Sequence, residues 1–393
     1  MSAGKGGAGS SSSSCCHASK RGTCVTVSSM AFVIGLLLLA FYAFGDDTTL
    51  QVVCVVFRHG DRTPTETYPT DPYKNKNWQD GWGMLTAEGK RQMYTLGKYL
   101  RQRYDTFVSR LYSPGETWME SSANDRCLMS AQVLLAGLYP PTGHQVWNDE
   151  LPWQPIPVHS TPRALDKLIV MKKPCPRYEW EKTKAYQTRE IKQIDEENAD
   201  LYSYLTQNTG KNISTILDVE LLFNTLEIEE KNGLALPEWT KSVYPDRMKT
   251  LAAKSLAIFT HTPEMKKLYG GPLVKLITQQ LSSKRSTALA TAAGAPGRKL
   301  FLYSAHDVTL VSAWRTLGFA ELLKPDYGAA LMFEMHIVES KRFEVKLFYL
   351  NNTWLQRPRQ LEVPNCGKPC SLDKFVDLMT PVLPDDWETE CQM

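Results

Sequence analysis

After Phe57 the chain reads Arg58-His59-Gly60-Asp61-Arg62-Thr63-Pro64, with two arginines four residues apart around a histidine. A planar guanidinium bonds the oxygens of one phosphate through two parallel N–H donors, so paired arginines can hold a phosphoryl group without a metal. An imidazole titrates at about 6.5, so it can be uncharged and nucleophilic at mildly acid to neutral pH. Gly60 is expected to remove a side chain where the backbone turns close to the anion. Alone, His59 would read as a buried, hydrogen-bonded histidine. The arginines beside it make a phosphate site the better reading. A second pair, His306-Asp307, follows Tyr303-Ser304-Ala305 far along the chain.

Such groups need rigid elements to aim them. The run LQVVCVVF, Leu50 to Phe57, is continuous and rich in Val, the pattern of a strand buried on both faces of a parallel sheet. The Arg-His motif therefore leaves the C-terminal end of a strand, where open α/β sheets place their ligand crevice. Met93, Leu96, Leu100, Tyr104 and Phe107 mark one apolar helical stripe, with Thr86 as its cap. Asn124 to Leu138 predicts a second helix, with Asn124 as N-cap and Pro140-Pro141 as its stop. Residues from about 161 to 280 are rich in Lys, Glu and Gln at helical spacing and predict a helical insertion. Lys299 to Ser304 predicts a second buried strand, and Val308 to Phe319 a helix after the His-Asp pair. Ala330 to Val338 and Phe343 to Leu350 predict a closing hairpin, and the tail from Leu361 little regular structure.

Composition bounds the class. Of 393 residues, 42% are apolar and 22% charged, which excludes a wholly disordered chain. The formal charge is +3, and Lys5, Lys20 and Arg21 account for all of it. A neutral body does not suit a nucleic-acid-coating surface, so no nucleic-acid partner is expected. The uninterrupted apolar run Ala31 to Phe44 follows a Gly/Ser-rich tract. It is short for a spanning helix and suits a signal-peptide core, with cleavage after Gly45. An uncleaved N-terminal anchor over residues 25–44 is the rival, and a start at Met30 would leave a more ordinary signal. Either way the body faces the secretory lumen, lysosomal or extracellular.

Six cysteines follow residue 45. Cys366 and Cys370 flank a Gly-Lys-Pro turn, a natural short disulfide loop in an oxidising compartment. Cys54 and Cys127 read as buried thiols. Cys175 and Cys391 are left for a long-range closure that spacing alone does not establish. The sequons at Asn212 and Asn351 suit a secreted glycoprotein. Gly4 to Gly9 meets a dinucleotide-binding spacing, but no strand precedes it.

Arg58 to Pro64 resembles the signature of the histidine acid phosphatases, the two-histidine branch of the histidine phosphatase superfamily. His306-Asp307 matches that family's second motif, and Asn124-Asp125-Arg126 its middle arginine. Similarity to prostatic, lysosomal and insect venom acid phosphatases also runs through Pro69 to Pro72, Trp153 to His159, Cys175-Pro176-Arg177 and Thr389-Glu390-Cys391. The resemblance implies an α/β fold: a three-layer, mostly parallel sheet flanked by helices, with a phosphoglycerate-mutase-like core and a smaller helical cap. The core would span about 46–160 and 281–365, the cap about 161–280, and a disulfide-containing tail 366–393.

The resemblance also implies roles. His59 would be the nucleophile forming a phosphohistidine, Asp307 the general acid, and Arg58, Arg62, Arg126 and His306 the ligands of the phosphoryl oxygens. No metal or other cofactor is implied. Fixed guanidiniums would replace magnesium, and a protonated Asp307 would set an acid optimum. Homodimerisation is implied by analogy with the prostatic relatives. One departure stands out: Glu120-Ser121-Ser122-Ala123 replaces an Arg-Ser-Thr-Asp-like segment, which puts a secondary contact in doubt. The expected activity is phosphomonoester hydrolysis. Its rivals are a phosphotransferase of the same superfamily and a secreted allergen or binding protein that keeps the fold without turnover.

Overall fold

In the computed structural model of the chain, which describes residues 49–290, 297–338 and 341–393, the Val-rich run is strand β1, Leu50–Arg58. Successive side chains of a strand face opposite ways, so a strand buried throughout needs a cover on each side. Val53, Val55 and Phe57 pack against helices α1 (Ala87–Arg103) and α2 (Asp125–Leu138). Val52, Cys54 and Val56 belong to a second core. That core includes residues of helices α8 (Gly271–Ala290), α9 (Asp307–Thr316) and α10 (Leu372–Met379). Three layers result.

The other strands are β2 (Thr117–Ser122), β3 (His159–Thr161), β4 (Leu300–Ala305), β5 (Ala330–Val338), β6 (Arg342–Leu350) and β7 (Arg359–Leu361). Their order is β3-β2-β4-β1-β5-β6-β7. β1 to β4 run parallel, while β5, β6 and β7 add antiparallel pairings. The sheet is thus mostly parallel, with the expected hairpin of β5 and β6 beside β1.

Between β3 and α8 lie helices α3 (Pro176–Gln187), α4 (Arg189–Glu197), α5 (Ala199–Thr209), α6 (Ile216–Lys231) and α7 (Asp246–Ile258). Tyr68 joins Ile191, Leu205, Phe223, Leu226 and Met248 in a separate apolar core among these helices. Thr215 and Asp218 close a reciprocal capping box that fixes the start of α6.

The tail is more regular than expected. It holds α10 and α11 (Trp387–Glu390). Leu372, Phe375 and Met379 repeat at helical spacing on α10, and the Ser371 hydroxyl caps it by accepting from Lys374 N–H. Eight residues between a Cys-Pro turn and a proline are too few for that period to stand out. Cys366 bonds Cys370, and Cys175 bonds Cys391, which ties the start of α3 to the end of α11. Cys54 and Cys127 are buried free thiols. The apolar run from Ala31 to Phe44, with the cleavage site and Met30, lies outside the described residues. Among the described residues no helix is long and apolar enough to cross a membrane.

Candidate active site

β1 and β4 pair in a register that sets Arg58 opposite Ala305. The residues that follow, His59 and His306, therefore leave the sheet side by side, and His59 N–H donates to Ala305 O at 2.9 Å. Their rings are 5.5 Å apart, nearly perpendicular. β2 lies next to β4 with Ser121 opposite Ser304, so Ser122 ends at the same edge and its hydroxyl is 3.0 Å from His306 Nε2. Arg126 enters from the first turn of α2, where free N–H groups and the helix dipole also favour an anion.

The hydrogen bonds settle the tautomer of the His59 imidazole. His59 Nδ1 lies 2.8 Å from Gly60 O, a pure acceptor, so Nδ1 carries the proton. Nε2 is left with its lone pair, to which Arg126 Nε–H donates at 3.1 Å. The Asn124 Oδ1 accepts from Arg163, which turns the Nδ2 donors of that amide towards His306 Nε2 at 3.2 Å. The Ser122 hydroxyl meets the same Nε2, and Arg126 Nη2 lies 3.5 Å from His306 Nδ1, so guanidinium and imidazole stand side by side at this edge.

Arg58 is fully buried. It donates to Pro325 O at 2.6 Å, pairs with Asp307 Oδ2 at 2.8 Å and lies 4.0 Å over the Tyr327 ring. Arg62 donates to Thr63 O at 3.0 Å and is buried beside His59. Burial first, then Arg126, Arg58, His306 and Arg62, hold the His59 imidazole well below its ordinary pKa. Burial and Arg126 push His306 down to about 3. Both rings are neutral at mildly acid pH. Burial disfavours charge on Asp307, but Arg58 and then Lys324 outweigh it and hold the carboxyl below the usual carboxylate range. Asp307 is thus an ion-pair partner as well as the first residue of α9.

The loop after His59 is fixed by α1. Thr86 Oγ1 donates to Asp61 Oδ2 at 2.6 Å and accepts the Gly89 N–H at 3.0 Å. Gln92 Oε1 accepts the Asp61 N–H at 2.8 Å. A Cβ on Gly60 would stand 2.4 Å from Gly89 O, and one on Gly89 would stand 2.2 Å from Asp61 O. Contact with the helix requires glycine here, whatever the approach of an anion.

All six predicted residues, Arg58, His59, Arg62, Arg126, His306 and Asp307, gather at this edge. Asn124 starts α2 as expected, yet its side chain makes no cap and serves His306 instead. Glu120 accepts from Trp118 Nε1 at 3.3 Å, and Ser122 is the residue of that segment that reaches the site. Sequence reasoning missed Ser122, Asn124 as a partner of His306, Lys324 and Tyr327. The last two precede β5, whose N-terminal end abuts the C-terminal end of β1 because the strands are antiparallel. Only the pairing order could have revealed them.

Residues 49–350 match the sequence profile of the histidine phosphatase superfamily (branch 2). The chain is 37% identical over 349 residues to the lysosomal acid phosphatase of Homo sapiens, covering 88% of this chain and 81% of that one. It is 34% identical over 365 residues to the prostatic acid phosphatase of Bos taurus, covering 91% and 92%. Among solved structures it is similar to a Hafnia alvei phytase in complex with myo-inositol hexakis sulphate. There the TM-score is 0.67 at 16% identity, over 88% of this chain and 98% of that one. A Citrobacter braakii phytase gives 0.66 at 18% identity, over 88% and 100%.

Proposed function

The chain belongs to branch 2 of the histidine phosphatase superfamily and is an acid phosphatase, a phosphoric monoester hydrolase; from that premise we propose that His59 is its nucleophile and Asp307 its proton donor. The observation that carries the reading is the His59 ring. Its Nδ1–H is tied to Gly60 O, and its Nε2 lone pair opens towards Arg126 among three arginines.

His59 Nε2 attacks phosphorus in line, and the P–O bond to the leaving alcohol breaks with its electron pair on oxygen. The Asp307 carboxyl gives that oxygen its proton. Nδ1–H keeps its bond to Gly60 O while the ring takes up positive charge. Water then attacks phosphorus, the P–N bond breaks back onto Nε2, and Asp307 accepts the proton of the water. Arg58, Arg62, Arg126 and His306 bind the equatorial oxygens, where fixed donors lower the barrier most.

Asp307 is held ionised by Arg58. A phosphoryl dianion brings negative charge beside it and competes for that guanidinium, which lets the carboxyl take up a proton. The acid optimum thus belongs to the enzyme–substrate complex. Glu227 and Lys231 of α6 and Lys249 of α7 line the cleft beside Asp61 and Tyr327, which would receive the alcohol. The two disulfides and the exposed Asn212 and Asn351 fit a glycosylated protein of the secretory lumen, secreted or lysosomal, with residues 31–44 serving as signal or anchor.

The test uses two esters at about pH 5. Asp307→Asn should slow an alkyl phosphate by about two to four orders of magnitude, and p-nitrophenyl phosphate far less. Equal losses would contradict the proton-donor role. No turnover of either ester by the wild-type chain would favour a binding protein.

A further inference from the structure

The carboxyl of Asp307 makes ion pairs with two cations, Arg58 and Lys324, and they differ in what else they serve. The arginines acting on His59 are Arg126, Arg58 and Arg62, whereas the strongest cations acting on Asp307 are Arg58 and then Lys324. Lys324 stands in the segment before β5 with its side chain 3% exposed. Its Nζ is 3.9 Å from Asp307 Oδ2 and donates to Asn224 Oδ1 at 3.0 Å. Asn224 lies on α6, where Glu220, Asn224, Glu227 and Lys231 share one face by helical spacing. A buried ammonium persists only where carboxylates and hydrogen bonds offset its desolvation. Asp307, Glu227 and Glu220 supply the charge, and Asn224 the hydrogen bond.

Arg58 lies at the base of the phosphoryl cradle and is drawn towards a bound anion. Lys324 is held from the other side by α6. We propose that Lys324 is a positioning residue: it stays on Asp307 when substrate engages Arg58, and it sets the pH above which that carboxyl no longer carries the proton the leaving alcohol needs. The inference rests on Asp307 being the proton donor.

The other groups facing Asp307 are His59 and His306 from the strand ends, Arg126 and Cys127 from α2, Glu220 from α6, and Tyr269. All of them remain when Lys324 is replaced. Loss of its charge removes a cation that favours the ionised carboxyl and leaves the Glu227 carboxylate less neutralised. Both changes raise the Asp307 pKa. The protonated form then survives to higher pH.

The experiment measures kcat against pH for an alkyl phosphate and for p-nitrophenyl phosphate in wild type, Lys324→Met and Lys324→Arg. In Lys324→Met the basic limb for the alkyl ester should move up by about one pH unit, with KM for both esters within about twofold of wild type. Lys324→Arg should return the limb towards wild type. An unmoved limb overturns the proposal, and so does a rise of about tenfold in KM for both esters, which would make Lys324 a phosphate ligand. If Lys324→Met does not fold, Asn224→Ala, which frees the ammonium from α6, should move the limb too, and its failure to do so is equally fatal. Asp307→Asn runs alongside. Equal losses on both esters there remove the proton-donor reading itself, whereas a selective loss beside an unmoved limb in Lys324→Met removes only this inference.

Discussion

His59 owes its proposed reactivity to being a neutral imidazole among guanidiniums. Burial and the cations around it keep the proton off Nε2, and the Gly60 carbonyl keeps the other proton on Nδ1, so the lone pair is present at acid pH. As the proposed proton donor, Asp307 faces the opposite demand: it would have to gain a proton that Arg58 and Lys324 oppose. Sulfate does not titrate near pH 5, so its binding should draw in about one proton as its charge raises the Asp307 pKa, and it should bind more tightly as pH falls. Titration calorimetry in two buffers of different ionisation enthalpy reads this uptake, which should vanish in Asp307→Asn. Undiminished uptake in that variant would place the proton elsewhere. At this scale the sequence was legible wherever chemistry concentrates types at short spacing, as in Arg58 to Pro64. Ser122 and Asn124 were not, because a serine and an asparagine say nothing until a strand register brings them to His306.

Elements turn those residues into a site through two close approaches. One is the pairing of β1 with β4, which places both histidines at one edge. The other is the contact of Gly60 with Gly89, which seats the loop of Arg62 on the first turn of α1. A methyl group on Gly89 meets the Asp61 carbonyl and has nowhere to go. Gly89→Ala should therefore cost about 1–3 kcal/mol of stability by urea unfolding. It should also lower kcat/KM by about 10- to 100-fold through displacement of Arg62. Wild-type activity in a folded Gly89→Ala would show that the loop does not depend on this contact. β1 and α1 were readable because each buries a long run at one period. α10 was not, being a helix of eight residues whose burial is decided by the sheet beneath it.

For the whole molecule, the Arg58–Pro64 and His306-Asp307 motifs lie far apart in the chain and meet because neighbouring central strands carry them. A hydrophobic run predicts a buried strand but not which strand lies beside it. The α/β pattern was therefore evident, while the order β3-β2-β4-β1-β5-β6-β7, and with it the approach of Lys324 and Tyr327, was not. What the assembled fold is proposed to accomplish is covalent capture of the phosphoryl group by one nitrogen. The direct measurement is a rapid alkaline quench of the enzyme turning over a 32P-labelled phosphomonoester, followed by peptide mapping. The account predicts a base-stable, acid-labile label on the peptide bearing His59, absent from His59→Ala. Label on the His306 peptide, or turnover with no labelled protein at any time, would contradict it.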